Sequence, residues 1–229
     1  MKWGVVAFPG SNDDRDTLYA IESVLGHEAV SLWHAGDDLQ GCDAIALPGG
    51  FSYGDYLRAG ALARFSPIMR AVSRFAADGG PVLGICNGFQ ILCEAGLLPG
   101  ALVRNRSRRF MCRRERLRVE TTDTAFSCAL HRAEIITIPV KHGEGCYTAS
   151  ATTLEEIEES GRVVFRYADG APNGSMNDIA GITNGAGNVV GLMPHPEHAV
   201  DDMLESSDGR GIFASAALWI SDESARKRA

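Results

Sequence analysis

Val82-Leu83-Gly84-Ile85-Cys86-Asn87-Gly88-Phe89-Gln90 is the stretch whose reading decides the fold of this 229-residue chain. The apolar run Pro81 to Ile85 predicts a buried strand, and Gly88 to Ala95 predicts a helix, so Cys86 falls on the turn between them. That is the geometry of a nucleophile elbow, with a thiol in place of the commoner serine. Gly84 and Gly88 flank the thiol at i−2 and i+2, where strand and helix approach too closely for a Cβ. A sulfur at a helix N-terminus is favoured as thiolate by the partial positive charge there. Most free cysteines are simply core residues. None of the other five, Cys42, Cys93, Cys112, Cys128 and Cys146, has such a setting.

Upstream, Trp3 to Phe8, Ala29 to Trp33 and Asp43 to Leu47 read as strands. A helix carrying Leu18, Ile21 and Leu25 lies between the first two, with Ser11, Asn12 or Asp13 available as its cap. Strands alternating with helices imply a parallel sheet with right-handed crossovers, whose sites gather at the carboxyl ends of the strands. One such end is Pro48-Gly49-Gly50-Phe51-Ser52-Tyr53-Gly54-Asp55. Gly-x-x-x-x-Gly-Lys is absent and the only lysines are Lys2, Lys141 and Lys227, which excludes a P-loop. An oxyanion hole fits better, with N–H groups from this loop and from the residue after Cys86 converging on a developing negative oxygen. A tight structural turn would explain the glycines about as well.

Downstream, Arg116 to Glu120, Ile135 to Val140 and Val163 to Tyr167 predict strands without long helices between them, an antiparallel extension of the sheet. Eight arginines between Arg104 and Arg118 form a basic segment, read as a solvated edge or a docking surface for an acidic partner, with nucleic acid a distant third. Lys141-His142-Gly143-Glu144-Gly145 is a glycine-jointed polar loop, read as an accessory to the site. Asn173-Gly174-Ser175 matches a glycosylation acceptor that a cytosolic chain never uses. Asn188 to Met193 is a last strand, and Gly211 to Ile220 a helix packing through Ile212, Phe213, Ala216 and Ile220. The basic Arg226-Lys227-Arg228 end is expected to fray. No linker or repeat divides residues 1–229, so a single domain is expected.

The formal charge of −7 argues against nucleic acid, and 45% hydrophobic with 22% charged residues is ordinary for a globular protein. Six cysteines without Cys-x-x-Cys pairs point to a reducing, cytoplasmic setting and not to a disulfide framework. The only N-terminal apolar run, Val5 to Phe8, is too short for a signal peptide or a membrane span.

The last strand delivers Pro194-His195-Pro196-Glu197. Proline holds His195 extended, which places its imidazole on the same side as the carboxylate of Glu197, a base beside its orienter. With Cys86 from another strand end they complete a set capable of acyl transfer. His195, Glu197 and His198 could instead hold a metal, but neither His-Glu-x-x-His nor a Cys-x-x-Cys partner is present, and no metal is expected.

Gly84 to Gln90 together with Pro194 to Glu197 resembles the triad-type (class I) glutamine amidotransferases. Pro48 to Gly60, His142 to Gly145 and Pro172 to Ser175 are similar to the glutaminase subunits of phosphoribosylformylglycinamidine synthase, over essentially the whole chain. The resemblance implies a flavodoxin-like α/β fold, a central mostly parallel sheet with helices on both faces. It implies hydrolysis of L-glutamine to glutamate and ammonia, with Cys86, His195 and Glu197 as the triad, Gly50 and Asn87 as oxyanion donors, and Gln90 meeting substrate. It implies two partners in purine biosynthesis, a synthetase subunit that takes the ammonia and a small third subunit. No cofactor is expected here, ATP and Mg belonging to the synthetase. Relatives commonly carry arginine where this chain has His198, so contacts of that arginine do not carry over. Two other readings stay open: another triad hydrolase, of peptidase or γ-glutamyl hydrolase type, and a non-catalytic interaction subunit.

Overall fold

The computed structural model describes residues 1–226 and no side chain beyond residue 222. In chain order its elements are β1 (Lys2–Ala7), α1 (Asp14–Tyr19, continued by a π-helical turn, Ala20–Val24), β2 (Glu28–Trp33), β3 (Ala44–Leu47) and α2 (Pro67–Ala77). Then come β4 (Val82–Ile85), α3 (Asn87–Glu94), β5 (Ala101–Val103), β6 (Met111–Val119), β7 (Ile135–His142) and β8 (Cys146–Thr148). The chain closes with α4 (Ala151–Glu159), β9 (Val163–Tyr167), β10 (Ile179–Thr183), β11 (Val189–Leu192) and α5 (Arg210–Arg226). Lys227 and Arg228 of the end expected to fray lie outside the described residues.

Nine strands form one sheet in the order β2-β1-β3-β4-β11-β10-β9-β6-β7. The first five are parallel, and the remaining four are added antiparallel, the extension expected from the helix-poor second half. β3 and β4 are buried at every position, as strands covered on both faces must be, whereas edge strand β7 alternates. Register shows where the helices lie. Trp3 pairs with Ala44, and Gly84 with Leu47, an odd number of residues further along β3. Side chains alternate faces along a strand. Trp3 packs on Phe213 of α5 at 6.0 Å between ring centroids, while the missing Cβ of Gly84 faces Gly88 and Leu92 of α3. Helices α3 and α5 therefore cover opposite faces.

β6 starts at Met111, five residues before the expected Arg116. Its arginines are exposed and paired with carboxylates, so the second half of the run expected as a solvated edge or a docking surface lies on a strand. Helix α2, strand β10 and the short β5–β8 pair are further elements that the sequence reading does not contain. α2 has Pro67 in its first turn, where the missing N–H costs nothing, and buries Ile68, Met69, Val72 and Ala76. Among the described residues no helix is long and apolar enough to cross a membrane.

Candidate active site

The carboxyl ends of β1, β3, β4 and β11 converge beside the point where strand order reverses, between β1 and β3, and the loops they release are tied together there. Ser11 and Gly50 form an isolated antiparallel bridge, and Asn12 and Asp13 both donate N–H to the Gly49 carbonyl at 3.2 Å. This is where open α/β sheets bind ligands. A cavity of about 470 Å³ opens at this place, walled by Cys86, His195, Gly50, Gln90, His142 and Lys141 among others.

Cys86 has φ 49° and ψ −102°, a backbone conformation that side chains rarely adopt. The elbow is held on both sides: Cys86 N–H donates to Leu192 of β11 at 2.8 Å, and its carbonyl accepts from Gln90 N–H at 3.2 Å. Its sulfur lies 3.9 Å from the Lys141 carbonyl oxygen and is only 6% exposed. The helix-dipole expectation of a favoured thiolate is outweighed. Burial pushes the thiol well above its ordinary range, the charges of Asp13 and Glu197 add to this, and only Lys141 and the Asn87 N–H oppose it.

His195 Nδ1 lies 2.6 Å from Glu197 Oε1, both side chains being buried. The contact forms although Pro196–His198 is a 3₁₀ turn and not the extended segment expected; His195 itself stays outside the helical region, at φ −106° and ψ 88°. With a proton on Nδ1, Nε2 is the free acceptor, and it is buried without a partner among the described residues. Burial drives the imidazole down to about 3 and the Glu197 carboxyl up to about 8, so this pocket disfavours charge on either group.

The expected oxyanion donors line the same ground. Gly50 has φ +144°, and a Cβ there would lie 2.7 Å from Asn12 N and Gly10 O, so only glycine fits the bridge. The neighbouring N–H groups of Phe51 and Tyr53 are spent on Gly10 and Pro9 carbonyls, which leaves the Gly50 N–H without a partner among the described residues. Asn87 N–H points at the sulfur, while its side chain accepts from Ser52 N–H at 3.1 Å and donates to Gln90 Oε1 at 2.8 Å. Gln90 in turn donates to the Glu144 carbonyl at 2.6 Å. It stands on the cavity wall, locked between α3 and the polar loop after β7.

That loop is less accessory than its sequence suggests. Asn105, buried, accepts from Gly145 N–H at 2.9 Å, contacts His142 Nδ1 at 3.1 Å, and donates to the His142 and Arg109 carbonyls. Asn173 and Ser175 donate to the Gly145 carbonyl, so the apparent glycosylation motif is an internal brace. The basic segment divides in two. On β6, Arg113, Arg114, Arg116 and Arg118 pair with Glu115, Glu205, Asp169 and Glu120. Before β6, Arg104, Arg108 and Arg109 stand at the cavity, whose wall also carries Asp55 and Glu144. Burial, with the Glu144 charge adding, raises Asp55 to about 6.

At Asp13 and His198 the structure departs from the sequence reading, and of the two Asp13 lines the cavity. Asp13 occupies the N-cap position of α1 but makes no capping bond. Its carboxylate turns inward to the ammonium of Lys141 and lies 3.6 Å from His195 Nδ1. His198, where the resemblance led to an expectation of arginine, contacts Asp16 at 3.0 Å and stacks on His195 at 5.4 Å. His195, Glu197 and His198, or Asp13, Asp16 and His198, bring three ligand atoms within 4.8 Å of one another. The Lys141 ammonium on Asp13 already occupies the charge that a cation at the second cluster would need.

A thiol on a strand-to-helix elbow, with a carboxylate-paired imidazole at a neighbouring strand end of a flavodoxin-like sheet, is the arrangement of the triad-type glutamine amidotransferases. The family profile described as CobB/CobQ-like glutamine amidotransferase domain matches residues 1–220. Phosphoribosylformylglycinamidine synthase subunit PurQ of Rubrobacter xylanophilus is 60% identical over 215 residues, 94% of this chain and 97% of that one. The same subunit of Chlorobaculum parvum is 57% identical, over 93% of this chain and 87% of that one. Among solved structures, a chain of PurLQS from Thermotoga maritima superposes with TM-score 0.88 at 43% identity, over 96% of this chain and 98% of that one. A putative GMP synthase component from Thermoplasma acidophilum shares the fold, with TM-score 0.67 at 17% identity over 99% of this chain and 98% of that one. The chain belongs to the PurQ family, the glutamine amidotransferase subunits of phosphoribosylformylglycinamidine synthase.

Proposed function

We propose that Cys86, His195 and Glu197 are the working triad of this protein, releasing ammonia from L-glutamine through a thioester. The observation that carries this is the 2.6 Å contact of His195 Nδ1 with Glu197, which leaves a buried, unpartnered Nε2 at the cavity that also holds Cys86. In the first half-reaction the thiol proton passes to Nε2 and sulfur attacks the side-chain amide carbon. The negative oxygen is held by the N–H groups of Gly50 and Asn87. The imidazolium then gives its proton to the departing nitrogen, and ammonia leaves. In the second half, Nε2 takes a proton from water, the hydroxide oxygen bonds to the thioester carbon, and the thiolate is expelled with the proton returned to it. Gln90, Asp55 and Glu144 together with Arg104, Arg108 and Arg109 suit a substrate that ends in both an ammonium and a carboxylate.

This chemistry uses a thiol, an imidazole and backbone donors, and asks for no cofactor in this chain. ATP and Mg belong, on this reading, to a synthetase subunit that receives the ammonia, as the PurLQS assembly of the Thermotoga maritima relative suggests. A small third subunit completes the assembly, and the cytoplasm is its place, in keeping with six free cysteines. The test is glutamate release by the chain with and without its synthetase. The reading requires turnover that is gated by the synthetase and abolished in Cys86→Ala; undiminished turnover in that variant overturns it.

A further inference from the structure

The glutaminase reading assigns no part to Asp13 or Lys141, yet both are built into the site. Asp13 is 3% exposed, gives up its capping bond, and reaches 3.6 Å from His195 Nδ1. Room for this approach is left by Gly49, where a Cβ would overlap Asp13 Oδ2 and stand 2.7 Å from His195 Cε1. Lys141 enters from the end of β7, bonds Asp13 through its ammonium, and holds its own carbonyl oxygen 3.9 Å from the Cys86 sulfur. A carboxylate buried for helix capping would bond the helix N–H groups; one buried for packing would need no glycine cleared for it beside an imidazole.

We propose that Asp13 and Lys141 are positioning residues for the reaction, a half-buried ion pair seated against His195 that sets the pH dependence of proton transfer from the Cys86 thiol to the imidazole. The inference rests on the triad assignment above. The charged and titratable groups facing the imidazole are Glu197 and His198 from its own turn, Asp13 from the loop before α1, Lys141 and His142 from β7, and Cys86 from the elbow.

The two members act with opposite sign. A carboxylate here favours the imidazolium and opposes the thiolate, so it raises the pH at which each group loses its proton; an ammonium lowers both. They oppose each other, Asp13 with the larger effect on both groups, and either alone would displace that pH dependence. Glu197 orients the ring by a hydrogen bond, whereas Asp13 at 3.6 Å acts through its charge.

The experiment follows the pH dependence of Cys86 alkylation by iodoacetamide in the full chain, with Cys86→Ala subtracting the other five thiols, beside the pH profile of glutaminase kcat/KM. Asp13→Asn should move both limbs to lower pH by about one unit, and Lys141→Gln both to higher pH by about one unit. Asp13→Asn with Lys141→Gln should bring the limbs back toward the wild-type positions, and Lys141→Arg should leave them at the wild-type positions. Loss of rate in the single variants with the limbs unmoved, or moved in the same direction, overturns the inference. If Asp13→Asn does not fold, Lys141→Gln against Lys141→Arg decides alone. Alkylation requires no glutamine, so a triad that fails to turn over glutamine is distinguished from an ion pair that fails to tune it.

Discussion

Gly88, in the first turn of α3, lies against the carbonyl oxygen of Leu47 at the end of β3, and a Cβ on Gly88 would fall inside that oxygen, far within van der Waals contact. The neighbour is backbone, so no rotamer change relieves it. Gly88→Ala must push α3 off the sheet and carry Cys86 with it. Overpacking of this kind costs about 1–3 kcal/mol or more. The expected result is a lowered urea midpoint together with loss of Cys86 alkylation at neutral pH; an unchanged midpoint would show that the elbow has slack.

Glu197→Gln preserves the volume beside His195 but can present an amide NH2 where the carboxyl oxygen accepts from Nδ1, and so admits the wrong imidazole tautomer. By analogy with other triads, turnover should fall by roughly 10³–10⁴ with little change in KM. Steady-state glutamate release measures it, and a loss under about tenfold would demote Glu197 to packing.

His142 is held down to about 4, burial being the main cause and the neighbouring His195 the second. In the unfolded chain it protonates near its ordinary 6.5. Between those values the unfolded state binds the extra proton, so stability falls as pH drops from about 6.5 to about 4, by at most ~1.4 kcal/mol per pH unit. His142→Gln should flatten that part of the curve relative to wild type, read from urea midpoints at stepped pH. Parallel curves would refute it.

Arginines of one basic segment should separate by location. Arg108→Ala and Arg109→Ala, at the cavity, are expected to raise KM for glutamine several-fold without altering the urea midpoint. Arg116, more than half exposed and paired with an exposed Asp169, belongs to a surface ion pair worth about 0–1 kcal/mol, and Arg116→Ala should change neither. Equal KM effects at all three positions would return the segment to a single docking face.

Much of the site is legible in the chain because its residues carry local constraints. Gly-x-Cys-x-Gly between a strand and a helix dictates an elbow wherever it folds, and Pro-His-Pro-Glu keeps imidazole and carboxylate close within four residues. The Gly49-Gly50 loop announces a close backbone approach. Other parts are hidden. Asp13 follows a strand and precedes a helix, so its residue type and position say cap, and only Lys141, far away in sequence, draws it inward. Asn105 sits unmarked among arginines, although its side chain holds the His142 loop through three contacts. β6 reads short because Leu117 and Val119, near its end, are its buried apolar positions, while the half before them is charged and exposed.

By itself, then, the sequence determined the parallel α/β scaffold, the elbow at Cys86 and the His195–Glu197 pair, since these depend on glycine and proline geometry within a few residues. The tertiary structure alone decided which charges surround them: Asp13 and Lys141, 128 positions apart, meet because β1 and β7 deliver their ends to one cavity. Electrostatic energy depends on distance and burial, and neither is written along the chain.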